Sequence, residues 1–151
     1  VDIPAGIEDG TRLRLAEQGE PTRDGGPPGD LFVDVFVKAH EFYKREGEHL
    51  YCEIPISYAN ATLGGEIEVP TIDSKVTIEV PRGTPTGQLL RSKGQGMPKL
   101  NSRVRGDLFV RVNVQVPAKI NKRQEELLRE FSKLEEEQNG KKGFWKWITG
   151  K

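Results

Sequence analysis

Apolar and polar residues alternate along Thr11-Arg-Leu-Arg-Leu15 and again along Leu31-Phe-Val-Asp-Val-Phe-Val37, and this period of two predicts two strands, each with one packed face. Leu31, Val33, Val35 and Val37 share one face, while Phe32, Asp34 and Phe36 share the other, so the second face is partly apolar as well. Residues 18–29 between them are rich in Gly and Pro, with a tight turn at Asp24-Gly25, and read as a long hairpin connection. Leu50, Cys52, Ile54 and Ile56 alternate as a further strand. Ser57 is placed to cap a short helical turn reaching Leu63, which Gly64-Gly65 ends. Glu66-Ile-Glu-Val69 and Val76-Thr-Ile-Glu-Val80 flank a turn at Asp73-Ser74, and residues 89–91 and 108–116 predict a last strand pair. The period lengthens to that of a helix only after Asn121, where Gln124 completes a capping box. Leu127, Leu128, Phe131 and Leu134 then fall on one stripe, and Gly140 predicts the helix end.

These patterns are written twice. Residues 4–37 reappear without a gap as residues 81–114, at a constant offset of 77. Pro4/Pro81, Gly6/Gly83, Gly10/Gly87, Arg14/Arg91, Gly19/Gly96 and the run Gly29-Asp-Leu-Phe-Val33/Gly106-Asp-Leu-Phe-Val110 are among fifteen identities, where chance alignment gives about two. The second copy is preceded by residues 50–80, for which the first copy has no counterpart in this sequence. The expected fold is therefore mainly β: two tandem small β-sandwich-like domains, the first truncated, followed by a C-terminal α-helix. The expected boundaries are 1–39 for the remainder of the first β-domain, 40–117 for the second, 118–140 for the helix and 141–151 for an aromatic and basic tail.

Charge narrows the choice of partners. Lys and Arg number 23 against 23 Asp and Glu, so no whole-molecule field draws nucleic acid or anionic lipid. No apolar run approaches the roughly 20 residues that span a bilayer. One cysteine allows no internal disulfide framework and no multi-cysteine zinc site within these residues, which suits a reducing compartment.

Catalytic chemistry finds little to work with. His49 and Cys52 lie three apart on a strand, so they point to opposite faces and make no nucleophile–base pair. His40 and His49 lack further soft ligands for a metal. Gly94-Gln-Gly96 has no helix N-terminus behind it to hold a phosphate and reads as a turn between strands. Lys93, Lys99, Arg103 and Arg105 make the second module's loop basic, either as a solvated loop or as a seat for an acidic segment. The face bearing Leu13, Leu15, Val33 and Val35 has two readings, as core or as a groove in which an extended apolar peptide docks by strand addition. The helix stripe likewise packs on its own module or self-associates. The tail with Phe144, Trp145, Trp147 and Ile148 suits self-association better than a membrane anchor, for which it buries too little.

Several ordered motifs carry a family resemblance. Val1-Asp-Ile-Pro-Ala-Gly-Ile-Glu-Asp-Gly10, Gly26-Pro-Pro-Gly-Asp-Leu-Phe-Val33, Lys44-Arg-Glu-Gly47, Leu63-Gly-Gly-Glu-Ile-Glu-Val-Pro70 and Gly94-Gln-Gly-Met-Pro98 through Asp107-Leu108 together resemble the C-terminal region of bacterial DnaJ co-chaperones. Glu41, Glu46, Glu48-His49 and Asp73-Ser74 depart from the usual residues at turns and surface positions. The resemblance implies a non-catalytic, cytoplasmic part of a chaperone active in protein folding and stress response. It implies binding of unfolded or misfolded polypeptides, delivery to DnaK through a separate J domain, and a homodimer, with neither nucleic acid nor membrane as a partner. By position, the client groove would include Leu13, Leu15, Val33 and Val35. Dimerisation would use Leu127, Leu128, Phe131, Leu134, Phe144, Trp145, Trp147 and Ile148. No cofactor is expected in these residues, since the zinc-binding cysteine-rich module of many family members is not among them. The rival reading is a structural spacer and dimerisation module that binds no client itself.

Overall fold

A computed structural model describes residues 1–150, including all side chains except those of residues 139–147. The strands are β1 (Thr11–Leu15), β2 (Leu31–Val35), β3 (Lys44–Glu46), β4 (His49–Ser57), β5 (Gly65–Pro70), β6 (Lys75–Val80), β7 (Leu89–Ser92) and β8 (Leu108–Gln115). The helices are α1 (Tyr58–Leu63) and α2 (Lys122–Thr149). The fold is mainly β with a C-terminal helix, as the alternation predicts.

Three sheets result. β1 and β2 form an antiparallel hairpin, β5 and β6 form another, and the remaining strands make one sheet in the order β3-β4-β8-β7. At the centre of that sheet β4 runs parallel to β8, from Leu50 opposite Leu108 to Ser57 opposite Gln115. Alternation fixes which side chains share a face and is silent on strand direction, so this parallel pair is a finding of the structure alone. The crossover between the two strands carries α1, β5, β6 and β7, which lets a parallel pair form.

One core serves both the four-stranded sheet and the β5–β6 hairpin. Leu50, Cys52 and Ile56 from β4, Ala61 from α1, Val69, Ile78 and Val80 from the hairpin, Leu90 from β7 and Leu108, Val110 and Val112 from β8 form a single buried cluster. Leu108, Val110, Val112 and Val69 are completely buried, each contributing roughly 1.5–3 kcal/mol by leaving water. The Tyr43 hydroxyl donates to the Pro70 carbonyl and ties the segment just before β3 to the end of β5. The caps expected around α1 are present: the Ser57 hydroxyl accepts from the Asn60 amide at 3.0 Å, and Gly64 closes the helix with φ +78°.

Residues Val1–Gln115 form one compact unit and Val116–Lys151 a second. Within the second, Asn121 Oδ1 accepts from the Gln124 amide at 2.8 Å and Gln124 Oε1 accepts from the Asn121 amide at 2.9 Å, which is the predicted capping box. Glu125 and Arg129 add an i,i+4 ion pair at 2.7 Å. The helix does not end at Gly140 but runs to Thr149, where Gly150 has φ +65°. Interior Gly140 and Gly143 each cost about 1 kcal/mol relative to Ala, too little to stop a helix with good formers around them.

Candidate functional site

The internal repeat is a repeat of structure down to single hydrogen bonds. In the first copy Leu13 lies opposite Val33 and Arg14 opposite Phe32; in the second, Leu90 lies opposite Val110 and Arg91 opposite Phe109. Arg14 pairs with Asp30 at 2.6 Å, and Arg91 pairs with Asp107 at 2.6 Å. The other carboxylate oxygen of each aspartate accepts a loop amide, Glu17 at 3.1 Å in one copy and Gly94 at 3.0 Å in the other. The Gly19 amide reaches the Gly29 carbonyl and the Gly96 amide that of Gly106, which pins the two ends of each long loop together.

These contacts set the charge states. The Glu17 amide first, then Arg14, hold Asp30 below the usual carboxylate range. The Gly94 amide is the largest influence holding Asp107 low, with Arg91 adding to it against the opposing effect of desolvation. Asp107 is 9% exposed, so its ionised form depends on these donors rather than on water.

The two copies differ in what covers them. β8 is paired on both edges, by β7 and β4, whereas β2 pairs only with β1 among the described residues. Val110 and Val112 are wholly buried, while Val33, the counterpart of Val110, is half-buried beside half-buried Leu13 and Leu15. Val35 is the exception on this face, being 9% exposed. Leu13, Leu15 and Val33 therefore form a partly open apolar strip, with Val35 closing one end as core. The opposite face carries the Arg12–Asp34 pair at 2.6 Å and exposed Phe32.

The remaining polar candidates have structural partners. Cys52 is buried in the core, and desolvation pushes its thiol up to about 11. His49 Nδ1 accepts the Asp107 amide at 3.0 Å, and its ring meets Phe109 edge-on at a centroid distance of 5.6 Å. His40 Nδ1 accepts the Phe42 amide at 3.0 Å and so caps a turn. Arg105 bonds Asp73 at 2.6 Å and donates to the Gly96 carbonyl at 3.2 Å, so this member of the basic loop latches it to the β5–β6 turn. Among the described residues no group of three or more His, Cys, Asp or Glu could hold a metal ion. No described helix is long and apolar enough to cross a membrane.

On α2, Leu127, Leu128, Phe131 and Leu134 are 47, 47, 40 and 56% exposed, and Ile148 is 53% exposed. Phe144, Trp145 and Trp147 lie outside the residues whose side chains are described.

Comparison with known proteins matches residues 1–117 to the family described as DnaJ C terminal domain. The chain belongs to this family. Its relatives include the Chaperone protein DnaJ of Brevibacillus choshinensis, 50% identical over 143 residues, which covers 95% of this chain and 38% of the relative. The Chaperone protein DnaJ of Brucella canis is 51% identical over 143 residues, covering 94% and 38% respectively. The chain thus spans 38% of the length of these DnaJ relatives. Lys44–Glu46 stand as β3, followed by a turn at Gly47. His49 accepts the Asp107 amide and Asp73 anchors Arg105.

Proposed function

We propose that this chain is the client-holding and dimer-forming part of a DnaJ-type co-chaperone. The observation that carries this reading is the strip of Leu13, Leu15 and Val33 beside a β2 edge unpaired among the described residues, in a fold whose second copy has the same strand buried and paired on both sides. An extended client segment adds backbone hydrogen bonds along that edge and buries apolar side chains on the strip at about 25 cal/mol per Å². Such a surface reads apolarity and extension rather than sequence, which is the specificity required for unfolded chains. Dimerisation through the α2 stripe presents two strips to one client and raises avidity through effective concentration. In the longer protein the captured client passes to DnaK, in the cytoplasm and under folding stress, by way of a J domain that is not among these residues. The function is non-catalytic and requires no cofactor here.

Suppression of aggregation tests this reading. A thermally unfolding client should stay in solution in proportion to added chain, and Leu13→Asp should abolish the effect while leaving the sedimentation of the chain unchanged. A Leu13→Asp variant that protects as well as the parent would favour the spacer reading.

A further inference from the structure

The sequence predicts two modules, yet residues 1–115 form one compact unit. Arg45, on β3 of the second module, donates through Nη1 to the Ile7 carbonyl and through Nη2 to the Gly6 carbonyl, each at 2.7 Å. Its Nε donates to the Gly47 carbonyl at 2.8 Å, which fixes the guanidinium on its own hairpin. Gly6 also lies against the second module's loop, where an added Cβ would run into the Pro98 carbonyl and sit 3.1 Å from the Leu100 amide. Ile7 next to it is 8% exposed.

We infer that Arg45 and Gly6 form a lock that holds the β1–β2 hairpin and the second module as one rigid arm. The planar guanidinium matters because two parallel donors span two consecutive carbonyls, a geometry that a lysine ammonium lacks. The repeat supplies an internal control for Gly6. Its counterpart Gly83 has a similar left-handed backbone, φ +76° against +84°, but open space where its Cβ would go. Alanine at either position meets the same backbone strain, and only at Gly6 does it also meet the other module.

Residual dipolar couplings and amide exchange of the whole chain test the lock. In the parent, couplings from β1–β2 and from β4–β8 should fit one alignment tensor. In Arg45→Met and in Gly6→Ala, the β1–β2 couplings should require a separate tensor, and the amides of Leu13 and Val33 should exchange about tenfold faster, while those of Cys52 and Val110 keep their protection. Gly83→Ala should keep the single tensor, and Arg45→Lys should fall between parent and Arg45→Met. A single tensor with unchanged β1–β2 exchange in both Arg45→Met and Gly6→Ala would overturn the inference, as would two tensors in the parent. If Arg45→Met loses protection throughout β4–β8, the arginine serves its own module; an unchanged tensor in Gly6→Ala would then refute the lock and a split tensor would uphold it.

Discussion

Single residues carry the repeat's bookkeeping, and the two copies test one another. Glu17 has φ +58° where its counterpart Gly94 has φ +71°, so the first copy places a side chain in a conformation that favours glycine. Glu17→Gly keeps the amide bond to Asp30 and should raise stability by about 0.5 kcal/mol, read as a higher urea midpoint. Asp30 and Asp107 both titrate below their unfolded values. The stability they contribute is therefore complete above the ordinary Asp range near 4 and is lost as the pH falls through that range and below. Asp107→Asn should be less stable than the parent at neutral pH and should lose stability less steeply on acidification, and urea titrations across that range will show whether it does. Cys52, buried and pushed up to about 11, should resist alkylation in the native chain at mildly alkaline pH and react fully in urea.

Elements show where sequence patterns suffice and where they fail. The β1 and β2 pattern, the α1 caps and the α2 capping box were all legible, because each follows a local rule, either the period of two or a cap a few residues away. The parallel β4–β8 pairing was not legible, since alternation is identical for either strand direction. The run past Gly140 was not legible either, because an interior glycine weakens a helix without stopping it. At the candidate site, the shared face of Leu13, Leu15, Val33 and Val35 followed from the period of two, but the burial of Val35 and the exposure of its neighbours depend on tertiary cover. The consequence is measurable: Val110→Ala, at a wholly buried position, should cost about 2 kcal/mol, while Val33→Ala at the equivalent half-buried place should cost less than half of that. On α2, an aspartate at Leu128 should convert a dimer to a monomer in sedimentation without loss of helical circular dichroism. A dimer that persists would remove the stripe from the interface.

Across the whole molecule, duplication followed by divergence of cover accounts for the proposed division of labour. The second copy spends its apolar strand on a core shared with β4, β5 and β6, and so supplies stability. The first copy keeps the same strand partly open, and so is the copy proposed to bind clients. A surface of this kind is marginal by construction, because each apolar side chain left for a client is withheld from the fold. The most direct test is fluorescence anisotropy of a labelled, extended Leu-rich peptide titrated with the parent chain and with Val33→Asp, whose fold is checked by amide exchange in β4 and β8. The account predicts saturable binding by the parent that is lost in the variant. Equal binding by both, or none by the parent, would contradict it.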